Sequence, residues 1–184
     1  MKKSLFFVAL GALAFTSCSQ DEVKQVNQDA VTFSVVAENA GRGAVTTTES
    51  IEEFNVTAYM QQEFTGPEGT YTANGDVFMD NMNVTKVDGD WTPNVTKFWP
   101  TNGAINFYSY APLAIASGVN FGPATQTITY EVPTTCSEQQ DVLYAFNAGL
   151  TKADKNVAVN FRHALSQVVF RAKNVKADLE VEIK

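Results

Sequence analysis

The chain has 184 residues, with thirteen basic and twenty acidic side chains and a formal net charge of −7. This length suits one domain, or one domain with a tail, and a composition that is 45% hydrophobic and 11% aromatic can fill a core, which argues against a disordered chain. The excess of acidic residues argues against a general nucleic-acid binder, because phosphate binding needs a surplus of Lys and Arg.

The N-terminal residues have the pattern of a secretory leader. Lys2 and Lys3 give a short positive start, and residues 5–15 form an apolar run. That run is shorter than the roughly 20 residues that a membrane-spanning helix needs, but it suits a signal peptide. We therefore predict a signal peptide over residues 1–17.

Cys18 follows the small residue Ser17, and the surrounding segment resembles a bacterial lipoprotein box. The resemblance implies that Cys18 becomes a lipidated N-terminus whose acyl chains anchor the protein in a membrane. The alternative is ordinary cleavage after Ala14, which would leave Cys18 as a plain thiol. A lipidated Cys18 cannot form a disulfide with Cys136, so no disulfide is predicted.

Residues 18–29 are predicted to be the lipidated cysteine and a flexible polar tether. Asp21 and Glu22 come soon after Cys18. This acidic start resembles the signal that exports lipoproteins of Bacteroidales-type bacteria to the outer face of the outer membrane. It implies a surface-exposed lipoprotein of the cell outer membrane.

From residue 30 onward apolar side chains recur at every second position or form short apolar runs, which is typical of strands. Asp88-Gly89 is a favoured two-residue hairpin turn, because both positions tolerate a positive φ. Short strands separated by turn residues favour an all-β, antiparallel β-sandwich of about seven to eight strands. The predicted strands cover residues 31–35, 54–60, 84–87, 105–108, 128–132, 142–146, 157–161 and 168–172. The predicted turns include residues 66–69, 74–76, 101–103 and 122–123.

Residues 175–183 alternate strictly between apolar and charged side chains up to the end of the chain. One face of such a strand must be buried, either in this domain or against a partner. The absence of a terminating turn also predicts that this chain is the front part of a longer protein.

Several short blocks in a fixed order resemble the fimbrillin family of Bacteroidales-type pilins and related surface lipoproteins. The resemblance covers about residues 31–184. The blocks are FMDN at 78–81, VTK at 84–86, WTP at 91–93, FWP at 98–100, INFYSYAP at 105–112, DVLYA at 141–145 and VNFRHALSQV at 159–168.

The resemblance implies a transthyretin-like, Greek-key β-sandwich over residues 30–184, which would be the N-terminal one of two family domains, with the second absent. It also implies lipoprotein export and assembly into fimbriae. In polymerising members a trypsin-like protease cuts after an Arg behind the first strand, and a strand from the next subunit fills the groove that opens. The matching position here is Arg42, for which the alternative is a solvated turn residue, and the exchanged strand would carry Val31, Phe33 and Val35.

Few residues could support catalysis. His163 is the only histidine, and a Cys136–His163 hydrolase would need the two side chains within hydrogen-bond reach. No helix N-terminus or cluster of cations is predicted near Cys136 to activate it. His163 is expected to have a hydrogen-bonded structural role where the strand pattern changes phase, at a bulge or one helical turn. We therefore predict no enzyme activity.

No metal ion or cofactor is expected. Asp88 and Asp90 could suggest a calcium site, but the other ligands of a loop site are absent and the hairpin interpretation is preferred. Large aromatic side chains could stack on sugars, although beside strands they are more often part of a core. The aromatic residues considered are Trp91, Trp99, Tyr108 and Tyr110.

The sequence thus predicts a cell-surface lipoprotein that is a structural or anchoring fimbrial subunit, assembled by β-strand exchange with other fimbrial subunits and acting in cell adhesion. The alternative is a lipid-anchored adhesin or glycan-binding surface protein that does not polymerise and that contacts host or bacterial surface ligands. Neither hypothesis involves nucleic acid.

Overall fold

The computed structural model describes residues 29–37 and 48–166. The predicted lipidation site Cys18, the predicted processing site Arg42, and the predicted strands at 168–172 and 175–183 lie outside the described residues. The described part contains nine strands and two short 3-10 turns. The strands are β1 (Thr32–Ala37), β2 (Glu53–Gly66), β3 (Gly69–Val87), β4 (Asp90–Pro93), β5 (Ile105–Ala111), β6 (Val119–Phe121), β7 (Gln126–Ile128), β8 (Leu143–Leu150) and β9 (Asn156–His163).

Seven strands form one sheet in the order β1-β4-β3-β2-β5-β8-β9, and β9 pairs with β1 to close it. Two seams of this sheet are short, since β1 meets β4 at one residue pair and β8 meets β9 at two. The all-β prediction is confirmed, and the arrangement is consistent with a β-sandwich. The small second sheet consists of β6 and β7.

One pairing departs from the antiparallel prediction. β1 and β9 run parallel over six residue pairs, from Thr32↔Asn156 to Ala37↔Phe161. Parallel neighbours need a long connection, and nearly the whole domain lies between these two strands in sequence. Alternation alone does not show strand direction, because it is the same in either orientation.

The predicted hairpin at Asp88-Gly89 is present and joins β3 to β4. Asp88 has a φ of 52° and Gly89 a φ of 93°, as a two-residue turn of this kind requires. Val87 pairs with Asp90 directly across the turn. The hairpin interpretation of this acidic pair is therefore confirmed.

The core lies on the inner face of the closed sheet, and edge-to-face aromatic contacts run through it. Phe54 lies at the centre of these contacts: its ring centroid is 5.7 Å from that of Phe33 and 5.5 Å from that of Phe161 in edge-to-face pairs, and 5.3 Å from that of Trp91 in a tilted pair. Such geometries add to the stabilisation that burial provides. The inward positions of β9 are Val157, Val159 and Phe161, all fully buried, as the alternation predicts.

A second, smaller apolar cluster covers part of the outer face of the sheet. Tyr110 and Val142 are buried there beneath Ile115, which lies in the 3-10 turn Leu113–Gly118, and beneath the hairpin of β6 and β7. The Tyr59 hydroxyl donates a hydrogen bond to the carbonyl of Phe121 in β6. Both faces of β5 are therefore largely buried.

Two turn and strand predictions are wrong. Residues 74–76 lie inside β3, where a Cβ at Gly75 would stand 3.0 Å from the Gln62 Cβ and 3.3 Å from the Met60 carbonyl oxygen of the paired strand β2. The predicted strand at 128–132 ends at Ile128. Beyond it, one more backbone hydrogen bond of 2.8 Å runs from Thr129 N–H to the Gly118 carbonyl, and the Tyr130 hydroxyl accepts a hydrogen bond from the backbone N–H of Gln140 at 2.8 Å.

The buried phenol of Tyr59 predicts a loss of stability at high pH. Burial raises its pKa above the ordinary value of 10.0, and the nearby Asp80 and Tyr108 raise it further. The unfolded chain then ionises first, so this contribution to stability is complete below about pH 10 and is lost as the pH rises beyond it. We expect Tyr59→Phe to lower the free energy of unfolding by about 0.5–1.5 kcal/mol at pH 7, because the hydrogen bond to Phe121 is lost. The same variant should show a smaller fall in the free energy of unfolding between pH 9 and 11.

Urea unfolding monitored by circular dichroism across this pH range measures both effects. Tyr71→Phe, at a site that is 59% exposed, is the matched control for loss of a phenol group. Parallel pH profiles for the native chain and Tyr59→Phe would contradict the assignment.

Candidate strand-exchange site

The three residues predicted to take part in strand exchange all point into the core. Val31, Phe33 and Val35 are 2%, 6% and 7% exposed, and Ala37 continues the same face. The intervening side chains of β1 face outward, and Val36 is 52% exposed. The strand therefore fills a slot in the core with one face only, as a period of two requires.

Phe33 is the deepest aromatic anchor of this strand. Its ring centroid lies 5.7 Å from that of Phe54 on β2 and 6.3 Å from that of Phe107 on β5, both at steep angles. β1 therefore packs against strands from across the core, as well as against its neighbours in the sheet. Its side chains occupy space that no other described segment fills.

The backbone of β1 is bound unevenly on its two sides. On one side it pairs with β9 along its whole length. On the other side β4 contributes one pair, Phe33↔Trp91, and the N-terminal end is held by hydrogen bonds of 2.8 Å from Val31 N–H to the Lys97 carbonyl and from Trp99 N–H to the Asp29 carbonyl. Withdrawal of β1 would leave β9 with an unpaired edge and the core with an open slot.

Polar contacts fix the register of β1 against the start of β9. The Asn156 side-chain amide donates to the Ser34 hydroxyl at 2.7 Å, and the Thr32 hydroxyl donates to the Lys155 carbonyl at 3.3 Å. The indole N–H of Trp99 donates to the same carbonyl at 3.1 Å. A replacement strand with another register would lose these contacts and would also turn its apolar residues outward.

The turn before β9 is held by its own acidic residue. Asp154 accepts hydrogen bonds from the backbone N–H of Thr151 at 2.7 Å and from the Thr151 hydroxyl at 3.0 Å. These bonds hold the pKa of the Asp154 carboxyl below its usual value. The turn sets the position of Lys155, whose carbonyl receives the bonds from Thr32 and Trp99.

Thr48, the first residue described after β1, is hydrogen-bonded to the last residue of that strand. The Thr48 hydroxyl accepts a hydrogen bond from the Ala37 N–H at 2.8 Å and donates to the Ala37 carbonyl at 3.3 Å. Ten residues separate these two, and Arg42 is among them. The segment with the predicted processing site therefore begins and ends at the same place in the fold.

The structure gives His163 a structural contact. Its Nδ1 lies 2.8 Å from Asp141 Oδ1, and both side chains are mostly buried. The predicted hydrogen bond of His163 is therefore present; His163 is the last residue of β9, and the chain bends at Ala164 and Leu165 directly after it, where a bulge or one helical turn was predicted. Cys136 is exposed in the separate 3-10 turn Cys136–Glu138.

The aromatic residues considered for sugar stacking differ in exposure. Trp99 and Tyr110 are 5% and 1% exposed and belong to the two apolar clusters, so neither presents a ring face to solvent. Trp91 packs against the core, and the Lys86 ammonium lies 5.9 Å from its ring centroid. Tyr108 is partly exposed on the outer face of β5.

Within residues 29–37 and 48–166, no three His, Cys, Asp or Glu side chains come together in a way that could hold a metal ion. No helix in that same part of the chain is long and apolar enough to cross a membrane.

The packing of Phe33 yields a direct test of how much β1 contributes. We expect Phe33→Ala to lower the free energy of unfolding by about 3–5 kcal/mol, the usual cost of removing a buried phenyl ring. Val36→Ala, on the exposed face of the same strand, is the matched control and should change stability by less than about 0.5 kcal/mol. Equal effects of the two substitutions in urea unfolding would show that the inner face of β1 does not support the core.

Three comparisons with known proteins bear on this arrangement. A crystal structure of a fimbrial protein from Bacteroides vulgatus is similar, with a TM-score of 0.53 and 22% sequence identity over 73% of this chain and 45% of that one. The chain thus spans less than half the length of that protein, and the likeness shows a shared fold. No curated protein matches the chain. Residues 23–184 match the family described as fimbrillin-like, so the chain belongs to the fimbrillin-like family.

Proposed function

We propose that this protein is a structural subunit of a cell-surface fimbria, assembled by β-strand exchange at the position of β1 and without catalysis. The observation that supports this proposal is the placement of β1, whose inner face fills the core while its backbone is paired along its length only with β9. Membership of the fimbrillin-like family and the fold of the fimbrial protein from Bacteroides vulgatus are consistent with it.

The energetics of β1 explain why exchange would need processing. Burial of Val31, Phe33 and Val35 contributes roughly 1.5–3 kcal/mol for each side chain. A loss of this size compares with the whole stability of a typical domain, about 5–15 kcal/mol, so β1 stays in place while it remains covalently attached. A cut behind the strand would turn it into a separate peptide that an incoming strand can displace.

The position of Arg42 in the sequence supports that step. Arg42 lies five residues beyond the last residue of β1 and six before Thr48. A cut there separates β1 from all the later strands, while the hydrogen bonds of Thr48 to Ala37 are the noncovalent link behind the strand. Glycines on both sides of Arg42 would give a protease the extended backbone that it needs.

The incoming strand must place its apolar side chains on the same face as β1 does. It needs apolar side chains at alternate positions and free backbone groups to pair with β9. Residues 175–183 of a neighbouring subunit have this alternation, with five apolar positions from Val175 to Ile183. Such a contact is head-to-tail, and contacts of that type build open filaments.

The anchoring part of the proposal concerns Cys18. Asp29 is the first described residue, and its carboxylate lies 3.0 Å from the Lys152 ammonium in an exposed ion pair. Eleven residues separate Cys18 from that point if Asp29 is counted, which allows a reach of at most about 36–40 Å. A lipidated Cys18 would hold the domain at this distance from the outer membrane.

Proteolysis tests the exchange mechanism. We expect a trypsin-like protease to cut the native chain after Arg42, giving a fragment that begins at Gly43, and to produce SDS-resistant oligomers. Arg42→Gln should prevent both, because the protease then has no site between β1 and Thr48. Lys24→Gln, which removes a site in the predicted tether upstream of β1, is the matched control and should still assemble.

A synthetic peptide of residues 30–37 makes this test sharper. Added in excess after cleavage, it should refill the slot and block oligomers, whereas the same peptide with Phe33→Asp should not. Cleavage after Arg42 without assembly would contradict strand exchange. It would favour the alternative, a lipid-anchored adhesin that does not polymerise.

Membrane fractionation tests the anchor. We expect Cys18→Ala to move the protein from the membrane fraction to the soluble fraction, because acylation at this position would be lost. Cys136→Ala, at the exposed 3-10 turn, is the matched control and should stay with the membrane. Retention of Cys18→Ala in the membrane fraction would show that the attachment does not depend on this cysteine.

A further inference from the structure

An open apolar groove lies on the outer face of the sheet, between β8 and the hairpin of β6 and β7. Its volume is about 350 Å³. We call it the outer groove, and its main lining residues are Tyr108, Phe121, Gln126, Ile128, Tyr144 and Phe146. It faces away from the core slot of β1, because Tyr144 and Phe146 alternate along β8 with the buried Leu143 and Ala145.

The walls of the outer groove are aromatic and fixed in place. The rings of Tyr108 and Phe146 stack with their centroids 4.8 Å apart, and the Asn74 amide donates a hydrogen bond of 3.0 Å to the Tyr108 hydroxyl. Phe146 is nevertheless 56% exposed, and Tyr144 is 38% exposed. The Gln126 amide is already bonded to the carbonyl of Gly122 at 2.8 Å. Such a surface suits apolar side chains better than a sugar.

One wall of the outer groove also offers backbone groups. Strand β7 pairs with β6, and among the described residues no other strand pairs with it. Among the described residues, its second edge is therefore unpaired, beside the side chains of Gln126 and Ile128 that line the groove. An apolar groove next to an unpaired edge is a site for an extended segment with alternating side chains.

We propose that the outer groove is covered by residues 167–172 of the same chain, which would add to β7 as a third strand. Ala164 lines the groove, and its backbone N–H donates to the carbonyl of Val142 at 2.7 Å. The described chain ends at Ser166, only two residues further on. The segment that follows therefore starts at the mouth of the groove.

The length and pattern of this segment fit the groove. Phe170 lies four residues beyond Ser166, so it can reach at most about 13–14 Å, which keeps it beside the groove. Val168, Phe170 and Ala172 would face the aromatic walls, and Arg171 and Lys173 would face solvent. So short a tether gives the segment a far higher effective concentration than the same segment of a second copy.

The proposal also separates two roles at the end of the chain. Residues 167–172 would complete the outer face of their own domain, and residues 175–183 would leave that face for other contacts. This inference does not depend on the proposed fimbrial function, because it concerns contacts within one chain.

Disulfide trapping in the full chain tests the proposal. In a background with Cys18→Ser and Cys136→Ser, Phe146→Cys is combined with a cysteine at 168, 170, 171 or 173. We expect an intramolecular disulfide to form about tenfold or more faster from Val168→Cys or Phe170→Cys than from Arg171→Cys or Lys173→Cys, since only the first pair would face the groove. Non-reducing gels and peptide mass spectrometry measure the products.

Val87→Cys replaces Phe146→Cys as the matched control, because Val87 is similarly exposed but lies at the far end of β3. It should give no intramolecular product. Equal rates from both faces of the segment, or no disulfide at all, would overturn the proposal. Disulfides between two chains would overturn it as well, because they would identify a second copy as the occupant.

Hydrogen exchange gives a readout that needs no cysteine in the groove. In the full chain we expect Phe170→Asp to speed amide exchange in β7 by about tenfold or more, because the added strand would detach. Arg171→Asp, at the neighbouring position on the opposite face, should leave β7 protected. Equal exchange in the two variants would overturn the proposal.

Discussion

The insertion of β1 between β9 and β4 is the interaction on which the closed sheet depends. β9 and β4 have no pairing with each other among the described residues, so β1 alone connects these two ends of the strand order. β1 pairs with β9 along a full parallel ladder, and with β4 at a single residue pair. Most of the remaining attachment comes from its inner face, where Phe33 meets rings from β2 and β5. This kind of attachment, chiefly through side-chain burial and one ladder, is what the proposed strand exchange requires.

Alternation in the sequence predicted the strands and the buried faces well, because burial on one side of a strand leaves a period of two. Val157, Val159 and Phe161 are buried as expected, and Asp88-Gly89 forms its hairpin because two adjacent positive φ values restrict the turn. Prediction from the sequence pattern fails where a residue typical of turns is present for another reason, or where a strand is too short to show alternation. Gly75 looks like part of a turn, but it lies inside β3, close to the backbone of the paired strand β2. β6 has only three residues, which is too few for alternation to be visible.

The candidate site was partly predictable for the same reason. The inward placement of Val31, Phe33 and Val35 follows from parity and is observed. The parallel pairing with β9 could not be predicted, because strand direction depends on the path of the whole chain. The outer groove was also missed. It depends on a stack between Tyr108 and Phe146, which are 38 residues apart and look like ordinary members of two strands.

Alternation also keeps the two surfaces of the molecule independent. On β8, Leu143 lies in the core, while Tyr144 and Phe146 face the outer groove, so one strand serves both surfaces with different side chains. A strand exchanged at the β1 position would touch only the inner set. The side chains on the outer face would then stay where they are when the strand at the β1 position changes. Only a shift in the register of β8 could move them to the other face, and such a shift would also break the backbone pairing of β8. Under the proposed strand exchange, such a domain would join a neighbour through its core and still present an unchanged exterior.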